Sequence, residues 1–175
     1  GWARYSVDTY WLAPHFEKML YDNSQLIEHY SRLWLATGRP LYRQRVAETV
    51  GWLQREMTTA DGAFSSSLDA DSLDDHGHSE EGAFYVWSEA QIDAALEGHD
   101  GDLFKMHYGV TAEGNWEGKT ILNRLAMPAP EAAIEEKLAP MRQVLFDVRA
   151  PRPRPGLDDK VLADWNGLMI RALCR

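Results

Sequence analysis

The sequence predicts an all-α fold of antiparallel helix hairpins with elaborated loops. Three observations point there. Apolar residues recur at spacings of three and four over long windows near both ends. The first two windows are separated only by a short Gly- and Pro-punctuated turn, as in an αα-hairpin. The segments between helices are unequal in length and rich in aromatics. No repeat of the 34 to 47 residues expected of a simple solenoid is visible, so a closed α/α barrel with a site built from rim loops is favoured over a solenoid.

The elements follow in order. Phe16, Met19, Leu20, Leu26, Ile27, Tyr30, Leu33 and Trp34 form one stripe, predicting a helix over 16–35, with Gly38 ending it and Pro40 blocking its continuation. Tyr42, Val46, Val50, Leu53 and Met57 predict a second helix that stops near the Asp61–Gly62 turn. "GAFSSSLDADS" and "GAFYVWS" read as extended segments, a small β-hairpin around the acidic loop "LDDHGHSEE". Ser88 and Gln91 form a capping box that opens a short helix. "GDLFKMHYGV" is another short helix, and "TAEGNWEGKTILN" is irregular. "PEAAIEEKLAPMRQVLFDVRA" is an exposed helix interrupted at Pro140. The last helix, in "DDKVLADWNGLMIRALC", takes Asp158 or Asp159 as its N-cap.

Composition excludes several functions. The 175 residues suit one domain, and 45% hydrophobic with 26% charged content argues against disorder. A net charge of −9 argues against nucleic acid; the densest basic stretch, "RAPRPRPG", reads as a stiff connector. A single cysteine, Cys174, excludes an intrachain disulfide and suits a reducing cytoplasm. No apolar run approaches a membrane span. The chain opens without Met and stops inside an apolar helical pattern, so it is expected to be a piece of a longer polypeptide.

Candidate site residues come from motifs. On a helix through "PHFEKMLYDNSQL", His15, Met19, Asp22 and Leu26 share one side. Asn23 falls within the apolar stripe of Phe16, Leu20 and Ile27, while Glu17 and Tyr21 lie on another flank. Asn23 then either caps a neighbouring loop or points with His15, Tyr21 and Asp22 into a polar cavity. In "SLDADS", Asp69 and Asp71 share a side of an extended backbone, where paired carboxyls split into acid and base. An EF-hand fails because Leu73 and Asp74 stand where an oxygen ligand and Gly are needed. His76 and His78 read as part of a solvated acidic loop rather than a metal site. Trp87, and Trp116 beside Asn115, put rings on loops with polar groups, as a sugar site does or as a simple loop plug does. Trp165 and Asn166 sit where Asn–Gly weakens a helix, a broken local rule that points to a functional or packing demand.

"RYSVDTYWLAPHFEKMLYDNSQL", "SLDADS", "EEGAFYVWS", "GNWEGKTIL" and "DDKVLADWNGLMI", in order from Arg4 to Ile170, resemble the YyaL-type, spermatogenesis-associated-protein-20-like family of thioredoxin-domain proteins. The resemblance implies an incomplete (α/α)6 toroid, similar to six-hairpin glycosidases and N-acylglucosamine 2-epimerases, with residues 1–175 a fragment of one toroid domain. The family's thioredoxin-like domain is expected to lie outside residues 1–175, which hold no Cys-x-x-Cys. By analogy of fold, the expected ligand is a sugar-like small molecule, with an epimerase- or glycosidase-like reaction in the full-length protein. His15 is then the base, and Asp69, Asp71, Glu80 and Glu81 are the carboxyl candidates; Tyr21, Asp22, Asn23, Trp87, Asn115, Trp116, Trp165 and Asn166 position the ligand. No cofactor or metal is called for. The alternative is a non-catalytic helical scaffold that binds a protein partner or assists the attached thioredoxin-like domain. Exposed inner surfaces of a cut toroid lead to an expectation of self-association.

Overall fold

The computed structural model describes residues 1–128 and 130–175. In chain order the elements are β1 (Tyr5–Ser6), β2 (Pro14–His15), β3 (Lys18–Met19), α1 (Leu20–Thr37), α2 (Pro40–Trp52), a π-helical turn (Leu53–Met57), β4 (Ser67–Leu68), β5 (Asp71–Leu73), β6 (Ser79–Glu81), α3 (Glu89–Ala95), α4 (Gly101–Tyr108), α5 (Ala132–Arg149), β7 (Leu157–Asp158) and α6 (Ala163–Leu173). The fold is helix-rich, and short strands correct the all-α expectation. Two compact units result: one of Gly1–Tyr5, His15–Asp71 and Pro155–Arg175, the other of Ser6–Pro14 and Ser72–Arg154.

In the first unit α1 packs against α2 and α6. Leu20, Ile27, Trp52, Leu53, Met57, Leu68, Met169 and Ala172 form the buried cluster, with Val46, Val50, Phe64 and Trp165 packed on it. The helix predicted from Phe16 begins only at Leu20. Lys18 and Met19 instead pair antiparallel with Leu68 and Ser67, and Leu20 N–H donates to Ser66 O at 2.9 Å. A ladder to a segment some fifty residues away thus overrides a local helical pattern. Gly38 closes α1 with φ +66, its N–H on Trp34 O at 2.7 Å, and Pro40 opens α2 at the position where a missing N–H costs nothing.

The N-cap expected at Asp158 or Asp159 lies instead at Leu162. Asp158 is held in β7 opposite Ser67, its carbonyl accepting from Ser66 N–H at 3.0 Å. α1 and α6 consequently begin alike. Each starts after an extended apolar residue without side-chain capping (Met19, Leu162), and each carries an asparagine at its fourth position (Asn23, Asn166) that donates back to that residue's carbonyl, at 2.9 and 3.0 Å. This internal repetition resides in backbone geometry and one residue type, so it leaves no fixed period in the sequence.

The second unit is built on Trp87, Ile92, Leu96, Phe104, Tyr108, Val110, Leu138, Met141 and Leu145. The Ser88–Gln91 capping box forms, at 3.2 and 3.0 Å. α5 runs through Pro140 without interruption, correcting the expected break. Pro140 is exposed, so the carbonyl it leaves unbonded faces water, while Leu138, Met141 and Leu145 bury the opposite stripe. β5 and β6 pair as the expected small hairpin. "GAFYVWS" is not extended: Gly82 O accepts from Tyr85 and Val86 N–H at 2.8 and 3.2 Å, coiling the chain before Trp87 bridges to Thr120. Arg152 of the Arg–Pro connector lies 4.0 Å over the Trp87 ring and donates to Val86 O at 2.7 Å, which ties that connector down.

Candidate functional site

In the first unit the extended segment before α1 places His15 and Glu17 on one side of the backbone, because side chains two apart share a face in a strand. His15 Nε2 lies 3.7 Å from Glu17 Oε2, and its ring stacks on Tyr5 at 4.9 Å between centroids. Arg4 runs alongside. Its backbone N–H donates to Glu17 O at 3.0 Å, its Nη1 donates to Glu17 Oε2 at 3.1 Å, and its Nε lies 4.0 Å from Asp22 Oδ2. Next to Asp22 on α1, Tyr21 meets the edge of Trp165 at 4.8 Å, so the first turns of α1 and α6 lie side by side. The cluster therefore links His15, Glu17, Arg4 and Asp22, bordered by Tyr5, Tyr21 and Trp165.

Its electrostatics are uneven. Burial pushes the Asp22 carboxyl above the ordinary carboxylate value, Arg4 pulls it back and Glu17 pushes it further up. Asp22 Oδ2 is buried without a hydrogen-bond partner among the described residues. The Arg4 guanidinium is held above its usual value, chiefly by its hydrogen bond to Glu17, with Tyr21 adding to this. The side chains of His15, Glu17 and Asp22 are 26%, 27% and 25% exposed, enough for a solute to reach them and little enough to desolvate them.

The other predicted residues take different places. All three asparagines clamp backbone. Asn23 accepts from Trp2 N–H at 2.7 Å and donates to Trp2 O at 3.3 Å. Asn166 does the same to Phe64, 102 residues distant, at 2.9 and 3.0 Å. Asn115 does so to Ile121, at 2.8 and 3.1 Å. Asp69 Oδ1 accepts from Asp71 N–H at 3.4 Å, and Asp69 N–H donates to Gly156 O at 2.8 Å, just past the end of β4. Glu80, Glu81, Trp87, Asn115 and Trp116 belong to the second unit, where Trp87 is 2% exposed and serves as core. In the acidic loop, Asp74 Oδ1 accepts from the N–H groups of both His76 and His78, at 2.8 and 2.7 Å.

Arg4 and Glu17 are the members that sequence reasoning missed. A helical period puts Glu17 on another flank, whereas a period of two joins it to His15. Nothing local connects Arg4 to Asp22.

No family model matches the chain. Over 198 aligned positions that take in 97% of it, the chain is 34% identical to spermatogenesis-associated protein 20 of Homo sapiens and 32% identical to that of Mus musculus. Across its whole length it is 31% identical to the uncharacterized protein B0495.5 of Caenorhabditis elegans. The chain belongs to the spermatogenesis-associated-protein-20-like family. It spans 25% of the length of the two mammalian relatives and 28% of the nematode one. No helix among the described residues is long and apolar enough to cross a membrane.

Proposed function

We propose that the chain is part of an α/α toroid and that its His15–Glu17–Arg4–Asp22 cluster carries acid–base chemistry on a sugar or sugar-like metabolite in the full-length protein. The observation that carries the reading is the Asp22 carboxyl, raised in proton affinity by burial and left with an unpartnered oxygen beside a polar, partly open cluster. Burial of such a group favours its protonated, proton-donating form, whereas His15, set against Glu17, is the base of the pair. One acid and one base serve proton transfer at a carbon beside a carbonyl, the demand of an epimerase or isomerase. The Tyr5, Tyr21 and Trp165 rings bordering the cluster offer flat faces to C–H surfaces.

Full-length protein incubated with a panel of reducing sugars in deuterated water is expected to exchange a carbon-bound proton with one of them. H15A and D22N each slow that exchange by about 10² or more, the usual contribution of a positioned acid or base. Exchange undiminished in both variants removes the cluster from the reaction, and release of reducing ends from glycosides would replace epimerisation with hydrolysis.

A second reading is favoured by the asparagines. Their amide groups are engaged with backbone, which is what a scaffold that binds a protein partner or assists an attached thioredoxin-like domain requires. Cytoplasmic residence and self-association belong to the same set of proposals.

A further inference from the structure

Glu28 of α1 is 7% exposed, yet it is charged. Arg32 Nη2 reaches its Oε1 at 2.5 Å, Arg171 Nη2 of α6 reaches its Oε2 at 2.6 Å, and Arg175 Nε lies 3.9 Å from Oε1. Three guanidiniums on one carboxylate leave two positive charges in excess, in a chain whose net charge is −9. The three arginine side chains are 62%, 57% and 51% exposed, so their remaining N–H edges face solvent while the buried carboxylate fixes their heads. Beside them is a solvent-open cavity of about 600 Å³ lined by Gln25, Leu26, Glu28, His29, Arg32 and Arg171.

The lining decides the occupant. Leu26 is its one aliphatic residue. Glu28 is its one acid, already spent on the arginines. His29, Arg32 and Arg171 carry N–H donors, while the Gln25 amide donates to Tyr21 O at 3.1 Å. Guanidiniums held in fixed orientation offer paired N–H groups that match two oxygens of a phosphate or carboxylate. The volume lies within the roughly 300 to 1,000 Å³ typical of small-molecule sites. Glu28 stands six residues beyond Asp22, about 9 Å along the helix and about a third of a turn around it, so this is a separate site from the acid–base cluster.

We infer that the α1–α6 face at Glu28 binds a small multivalent anion, one bearing a phosphate or carboxylate group, with Arg32 and Arg171 as ligands and Glu28 as their positioning residue.

The test is thermal unfolding of the chain with added inorganic phosphate or, separately, succinate, each referred to sodium chloride at equal ionic strength. The expected result is a saturable rise in Tm with one or both anions, the tighter one naming the class. R32Q and R171Q are expected to weaken the apparent Kd about tenfold each, and R171K, which keeps the charge but loses the fork, several-fold. R45Q, on α2, leaves it unchanged. If R171Q does not fold, R32Q and R171K decide. The inference is overturned by no rise beyond chloride, by equal rises in wild type, R32Q and R171K, or by an oligo-glutamate peptide binding far more tightly than either small anion, which would make this a protein-docking surface.

Discussion

Replacing Asn166 tests whether the asparagines hold the fold or a ligand. In the wild type its Oδ1 accepts from Phe64 N–H at 2.9 Å, and its Nδ2 donates to Phe64 O and Leu162 O, both at 3.0 Å. N166A removes all three bonds. Leu162 O keeps a partner, the Asn166 N–H at 2.9 Å, so the loss falls on the two backbone groups of half-buried Phe64. Each intact bond contributes roughly 0.5 to 1.5 kcal/mol, and a buried group left unpaired costs about 1 to 3 kcal/mol. Because Phe64 is only half-buried, the expected destabilisation is about 2 to 4 kcal/mol. N166D is the sharper variant. It preserves size and the acceptor for Phe64 N–H, but turns an oxygen toward two carbonyls, so it is expected to cost at least as much as N166A. Urea unfolding gives the global value, and hydrogen exchange at the Phe64 amide gives the local one, with protection lost in N166A, which removes the acceptor. Both variants within about 0.5 kcal/mol of wild type, with Phe64 still protected, would refute the clamp and return Asn166 to a ligand role.

Two other substitutions follow from the geometry. Burial raises the proton affinity of Asp22, so the folded chain binds more protons than the unfolded one as pH rises above the ordinary value of 3.8, and stability falls through that window. D22N is therefore expected to stabilise the chain at pH 7, with the gain shrinking as pH drops to that value; urea midpoints from pH 3 to 8 check it, and a gain independent of pH contradicts it. Gly114 has φ +72 and a Cβ there would overlap the Lys119 backbone, whereas Gly118, with φ +76, faces open space. G114A is expected to cost about 3 kcal/mol or more and G118A about 1 kcal/mol, the strain alone; equal costs would show that the overlap relaxes freely.

What was legible in the sequence is what local chemistry decides. Gly38 and Pro40 mark a helix boundary through backbone freedom and a missing donor, and the Ser88–Gln91 box closes within one turn. The start of α1 was not legible, because Lys18 and Met19 prefer helix by pattern and are drawn into a ladder by Leu68 and Ser67. Asn166 was correctly marked as a residue breaking a local rule, but its partner lies 102 positions away. The candidate site was half legible: His15, Tyr21, Asp22 and Trp165 were named, whereas Arg4 and Glu17 depended on the strand that the helical period concealed.

The asparagine clamps touch only peptide groups of the segments they grip. Any residue other than proline presents the same N–H and C=O, so the clamps themselves place no demand on the side chains of Trp2, Phe64 and Ile121. Divergence among homologues can thus rewrite side chains along the gripped segments while the amides keep their backbones in register.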